Sequence, residues 1–217
     1  MGIVICIYSV FAVNSILLSY KVKKYLSEKY TEEIVVKSTG YSTLWGLYCT
    51  AYPVEWPQIA FDVYKDNLSG GFFDNYLNKS LEYDTNTKFQ TLLDSIYTIR
   101  VNCSSAIYLT YEEGVNDMVG YVDKKIGRPA TWDNIHGSKK VDWLWIDFPR
   151  AVEDEDYASL IQLFQFANKE QMDIHFVFRF HEDDKTYMVM IDTNQWSNMN
   201  TEQGLEDYIK NNGSFLN

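Results

Sequence analysis

GIVICIYSVFAVNSILLSY, residues 2–20, is the stretch on which the fold turns. It holds no Asp, Glu, Lys or Arg, and its apolar run is interrupted only by Ser9, Asn14, Ser15 and Ser19. At about 1.5 Å per residue, a helix of this length covers roughly 28 Å, close to the hydrocarbon thickness of a bilayer. Every charged side chain of the protein follows it. The stretch therefore reads as a transmembrane anchor or uncleaved signal, and the rest as one water-soluble body.

Competing readings fit less well. A buried core helix normally carries a polar stripe, and these few polar residues do not make one. A cleaved signal peptide wants a charged start and small residues before the cut. Here Met1-Gly2 runs straight into Ile3, and Val13-Asn14-Ser15 is a poor cleavage site. Cys6 suggests lipidation, but Ile5 is too large for the preceding position. Met1-Gly2 opens like an N-myristoylation signal, yet Cys6 stands where Ser or Thr is expected. Lys21, Lys23 and Lys24 follow the stretch at once, which by the positive-inside rule keeps the body in the cytoplasm. Those lysines also belong to a short amphipathic helix, and a basic leader missing upstream would reverse the balance.

Composition bounds the body. Thirty acidic against 19 basic residues give a net charge of −11, which argues against nucleic acid and against adsorption to an anionic membrane. Such a surface suits solubility or a basic partner. Seventeen Tyr, 12 Phe and 6 Trp favour strand-rich packing with aromatic surfaces. Of the three cysteines, Cys6 lies in the apolar stretch, so Cys49 and Cys103 allow at most one disulfide and read as buried free thiols. No Cys/His cluster suggests a metal, and no cofactor motif appears.

Periodicity then predicts the elements. Lys21–Lys29 is helical. Ile34–Gly40, Leu44–Pro53 and Ile59–Lys65 are strands, the last with Ile59, Phe61 and Val63 on one face. Gly70-Gly71 turns the chain. Phe72–Tyr97 reads as mostly helical, broken or bent at Asp84–Asn86. Thr98–Asn102 and Ala106–Thr110 read as strand, bulged at Cys103–Ser105. Val115–Ile126 is a helix, and Ala130–Lys140 a loop. Val141–Phe148 is the best buried strand. Glu153–Asp156 places acids at a helix start. Ile174–Phe180 and Thr186–Ile191 form a hairpin. Thr201 starts a last helix with Leu205, Tyr208 and Ile209 inward. The expected fold is α+β: antiparallel sheets packed against helices, in two subdomains of similar size, 21–97 and 98–217, behind an anchor at 1–20.

Chemistry is sparse. His136, His175 and His181 read as loop, strand-face and turn residues. Ser104-Ser105 lacks a nucleophile-elbow context. Glu112, Glu113 and Asp117, like Glu153–Asp156, lack the spacing of a calcium loop. Trp132, Trp143, Trp145 and Trp196 read first as core, with an aromatic recognition face as the alternative. The candidate contact surface is the outward face of the hairpin, His175, Val177 and Arg179, with the acidic turn Glu182, Asp183 and Asp184. No catalytic residue or metal ligand is assigned.

The runs VKKYLSEKYTEEIVVKSTG, AYPVEWPQIAFDVY and FFDNYL resemble a family of small Gram-positive surface proteins. VDWLWIDFPRAV and LIQLFQFANKEQMDIHFVFRFHED are similar to its C-terminal half. The family includes exclusion lipoproteins of integrative conjugative elements, which block a donor's transfer machinery. The resemblance implies an extracytoplasmic, non-catalytic body. This chain departs from it in having no acceptable lipobox at Cys6. The expected function is a membrane-anchored surface protein that binds a protein partner, a toxin or transfer machinery, in exclusion or immunity. A structural subunit of an envelope complex and a hydrolase with a carboxylate site are the alternatives.

Overall fold

The computed structural model describes residues 2–42, 46–65, 70–107, 129–134, 139–182, 184–196 and 199–216, with the backbone alone at 2–13, 42 and 134. The predicted helix 115–126, Glu112, Glu113, Asp117, His136 and Asp183 lie outside these residues. The chain divides into two compact units, Met1–Ser80 with Tyr111–His136, and Leu81–Thr110 with Gly137–Asn217. The expected α+β class holds in its broad form.

The first unit begins with one helix, α1 (Gly2–Lys29). Sequence reading separates an anchor from a helix at 21–29. They are continuous because neither Gly nor Pro interrupts Leu18–Val22. Among the described residues, with α1 side chains counted from Asn14 onward, no helix is long and apolar enough to cross a membrane. Leu18, Val22 and Leu26, spaced i, i+4, i+8, are buried in this unit's core with Cys49, Ala51, Phe61 and Val63.

Four antiparallel strands form the sheet beside α1 in the order β1 (Ile34–Ser42), β2 (Gly46–Pro53), β3 (Phe61–Lys65) and β4 (Phe72–Asp74). A bulge between Val36 and Ser38 leaves Lys37 as the extra residue of edge strand β1. Residues 72–74, expected as the start of a helix, instead pair with β3. Asp74 explains the stop. It is only 7% exposed and accepts hydrogen bonds from Tyr25 Oη at 2.7 Å, Lys29 Nζ at 3.0 Å, Tyr30 Oη at 2.6 Å and the Tyr76 amide at 3.0 Å. Helix α2 (Tyr76–Ile96) follows and does not break at Asp84–Asn86. There Asp84 pairs with Lys88 one turn on, 3.3 Å away. Its later residues Leu81, Phe89 and Leu93 are buried and belong to the second unit. The division thus falls inside α2 rather than near Tyr97.

The second unit is a five-stranded sheet, ordered β5 (Asn102–Ala106), β6 (Lys139–Phe148), β7 (Met172–Glu182), β8 (Lys185–Ile191) and β9 (Ser214–Leu216). β5 runs unbroken through Cys103–Ser105. The expectation of purely antiparallel sheets fails at the centre, where β6 and β7 are parallel. Helix α3 (Asp154–Lys169) joins them, and a parallel pair requires such a crossover. Its first turn is fixed by Asp156, fully buried and held in a two-toothed ion pair by Arg150 at 2.7 and 2.9 Å. Helices α4 (Thr193–Trp196) and α5 (Glu202–Asn212) complete the unit. Leu205 and Ile209 of α5 are buried, whereas Tyr208 is only half-buried and donates to the Met190 carbonyl at 3.2 Å. Phe164 on α3 contacts Phe176 at 5.2 Å and stacks on Trp196 at 5.8 Å, while Phe89 on α2 meets Phe176 at 6.0 Å.

Cys49 and Cys103 are free thiols. Burial pushes the Cys49 thiol up to about 11 and Cys103 up to about 12, the latter with help from the charge of Asp94. Both are poor nucleophiles.

Candidate functional site

Strand alternation gives the second unit's sheet two unlike faces. Ile174, Phe176, Phe178 and Phe180 of β7 point to the helices and are buried. The other parity carries His175, Val177, Arg179 and His181. Among the described residues, α2, α3 and α4 pack on the Phe side, so this second face is free of those helices.

Registration places the neighbours. Trp145 of β6 and Met190 of β8 flank Val177, and Asp147 and Met188 flank Arg179. Trp143 and Trp145 stack with ring centres 6.4 Å apart, and Trp143 meets His175 edge-on at 5.5 Å. Core packing was the first reading of these two tryptophans. They are instead half-buried on the face opposite α2, α3 and α4, whereas Trp132 and Trp196 are buried core residues. Nothing in the chain's local pattern separates the two cases, because a Trp suits either face of a strand.

Polar groups converge at one end of the row. Arg179 Nη2 pairs with Asp147 Oδ2, and His181 Nε2 lies 3.6 Å from the other oxygen of Asp147. Thr186 Oγ1 sits 3.1 Å from His181 Nδ1. The Nε of Arg179 is buried with no hydrogen-bond partner among the described residues. At the other end, His175 Nδ1 is 3.1 Å from Asp192. Asp147, Asp192 and His181 were not singled out from sequence as members of this surface. For Asp147 the signal would have been the two-residue spacing of Trp143, Trp145 and Asp147, which puts all three on one strand face.

The five expected contact residues that are described do not form one patch. His175 and Arg179 share the face. Val177 is only 2% exposed, so it supports the surface and is not a contact point; its longer cross-strand neighbours Trp145 and Met190 account for this. Glu182 has the opposite parity, pairs across the turn with Lys185, and lies roughly 23 Å from His175 at about 3.3 Å per residue. Asp184 is exposed in the turn itself.

This arrangement offers groups of the kind that make contacts between proteins. Two tryptophans, two methionines and an arginine are residue types enriched where proteins bind one another. Met190 is half exposed at 50%. The Asp147–Arg179–His181 cluster offers charged hydrogen-bonding groups beside the aromatic row. Among the described residues no group of three or more His, Cys, Asp or Glu is placed to hold a metal ion. Comparison with protein-family models, with curated proteins and with solved structures finds no match to this chain.

Proposed function

We propose that the chain is a membrane-anchored, non-catalytic binding protein whose body faces the cell exterior and contacts a protein partner. The observation that carries this reading is the sheet face opposite α2, α3 and α4, with Trp143, Trp145, His175, Arg179 and Met190. An aromatic row beside an Arg–Asp pair supplies the apolar anchor and the charged rim that a protein contact uses. The resemblance to Gram-positive surface proteins narrows the partner to transfer machinery in conjugation exclusion, or to a toxin in immunity.

The anchor in this reading is residues 2–20. Leu18 already packs into the body, so the part of α1 left for lipid ends at Leu17. About 16 residues cover roughly 24 Å, a short span that a bilayer meets by local thinning. The missing linker holds the body close to the membrane.

The test is protection of recipient cells by the full chain and by two variants, Trp145→Ala and Arg179→Ala, at equal surface expression. Loss of exclusion or immunity in both, with wild-type thermal stability, is the expected result. Full protection by both variants would remove this face from the function.

A further inference from the structure

Beside the C-terminal half of α1 runs a groove of about 420 Å³, lined by Ser15, Ile16, Ser19, Tyr20 and Lys23 of α1 and by Val36–Thr39 of β1. Ser15, Ser19 and Lys23 recur at i, i+4, i+8 and so stand on one stripe of the helix. Facing them is the β1 bulge, whose extra residue is Lys37. A bulge re-aims its side chain and leaves backbone groups outside the ladder.

The lining contains no Asp or Glu, in a protein with 30 of them. It contains two lysines, and neither is paired with a carboxylate among the described residues. Elsewhere on α1, Lys24 lies 3.8 Å from Glu28 and Lys29 is held by Asp74 at 3.0 Å, while Lys21, outside the groove, has no carboxylate partner among the described residues. Two unpaired cations with Ser15, Ser19, Ser38 and Thr39 make a site for a compact anion that accepts many hydrogen bonds. A phosphate group is such an anion, and lysine binds it as a point charge.

The surroundings decide what carries the phosphate. Ile16 and Tyr20 on the groove wall are each 70% exposed, and Leu17 beside them is 53% exposed. A Tyr and lysines directly after an apolar span belong at headgroup depth, where aromatic rings and ammonium groups meet lipid phosphates. We propose that this groove binds the phosphodiester headgroup of an anionic phospholipid, with Lys23 and Lys37 on the phosphate and Ile16, Leu17 and Tyr20 against the first acyl carbons. The inference rests on the anchor reading above. It is compatible with a net charge of −11, because the site is local and its lining holds two lysines and no carboxylate.

The experiment uses the full chain in detergent and measures retained lipid by native mass spectrometry. Phosphatidylglycerol and zwitterionic phosphatidylcholine are the two lipid probes. Wild type should retain phosphatidylglycerol in preference. The double variant Lys23→Gln, Lys37→Gln should lose about tenfold or more of that preference, given about 1 kcal/mol for each lysine near an anionic surface. Ser19→Ile, which fills the groove without changing charge, should lower retention too, and Lys169→Gln on α3 should leave it unchanged. Equal retention by wild type and the double variant would overturn the assignment. So would tight binding of glycerol 3-phosphate in water with no preference between the lipids, which marks a soluble phosphate site. Alkaline carbonate extraction of cell membranes tests the anchor separately: release of the chain sinks the anchor whatever the lysine variants do.

Discussion

Asp74 shows how much one side chain decides in this protein. It is a nearly buried carboxylate holding two tyrosine hydroxyls, an ammonium group and a backbone amide, and it ties the end of α1 to β4 and the start of α2. Replacing it with Ala removes the acceptor of the Tyr30 hydroxyl and the carboxylate partner of Lys29, which keeps only the Tyr25 hydroxyl at 2.8 Å. Removing one partner of a buried ion pair costs about 3–5 kcal/mol. Asp74→Ala is therefore expected to lower the urea midpoint sharply with an unchanged slope, and a variant within 1 kcal/mol of wild type (about a quarter of that loss) would deny Asp74 this role. Glu32 carries a different signature. Burial raises its pKa above the ordinary carboxylate value, the Tyr76 hydroxyl hydrogen bond opposes this, and Glu55 adds to it. One oxygen, Oε2, is buried with no partner among the described residues. A raised carboxylate pKa means that the fold prefers the neutral form, so its stabilising contribution is complete below the unfolded-state pKa and fades as pH rises through the folded-state value. Glu32→Gln should keep the Tyr76 contact and flatten that decline between acidic and neutral pH; an unchanged pH profile in urea melts would refute it. Neither role was legible from sequence. FFDNYL reads as the opening of an amphipathic helix, and only the long-range tyrosines reveal Asp74 as a stop.

At the level of elements, alternation and i, i+4 spacing were readable wherever a face is buried. Phe61 and Val63 of β3, and Ile174 to Phe180 of β7, have the expected parity because burial enforces it. The parallel pairing of β6 with β7 was harder. A strand, a helix and a strand do suggest a crossover, but periodicity does not state which strands become neighbours. The bulge at Lys37 was equally silent, since it shows only in the pairing of β1 with β2. Gly40 on β1 illustrates pairing of another kind. A Cβ there would come within 2.5 Å of the Tyr48 ring, which lies over the glycine and against Tyr64, 5.9 Å between ring centres. Gly40→Ala must push that ring aside, at about 1–3 kcal/mol. In a Tyr48→Ala background the same change should cost little or become favourable, because Ala suits a strand better than Gly. Thermal or urea melts of the four proteins in this cycle measure the coupling. Additive effects would show that the ring does not rest on the glycine.

For the whole molecule, the decisive question is what joins the apolar stretch to the body. Two separate elements, an anchor and a short helix, would leave a hinge at Lys21–Lys24, the first place a protease would cut. One continuous α1 predicts the reverse. Val22 and Leu26 are buried, so the backbone around these lysines must stay helical, and a protease needs an extended chain. In the purified full chain, brief trypsin treatment should spare Lys21, Lys23 and Lys24 while cutting exposed sites elsewhere. Early release of a body beginning at Val22, Lys24 or Tyr25 would show that the helix is broken there. The same continuity sharpens the question of sidedness. On intact cells, proteinase K with an antibody to the region of Phe215 reports where the body lies; that ring is 53% exposed on edge strand β9. Loss of the signal is the expected result, and it would mean that the lysines after the apolar stretch act as part of a folded helix and a lipid-binding groove rather than as a topological signal. Protection until lysis would place the body in the cytoplasm, in line with the charge rule, and an exclusion or surface-immunity role would fall with it.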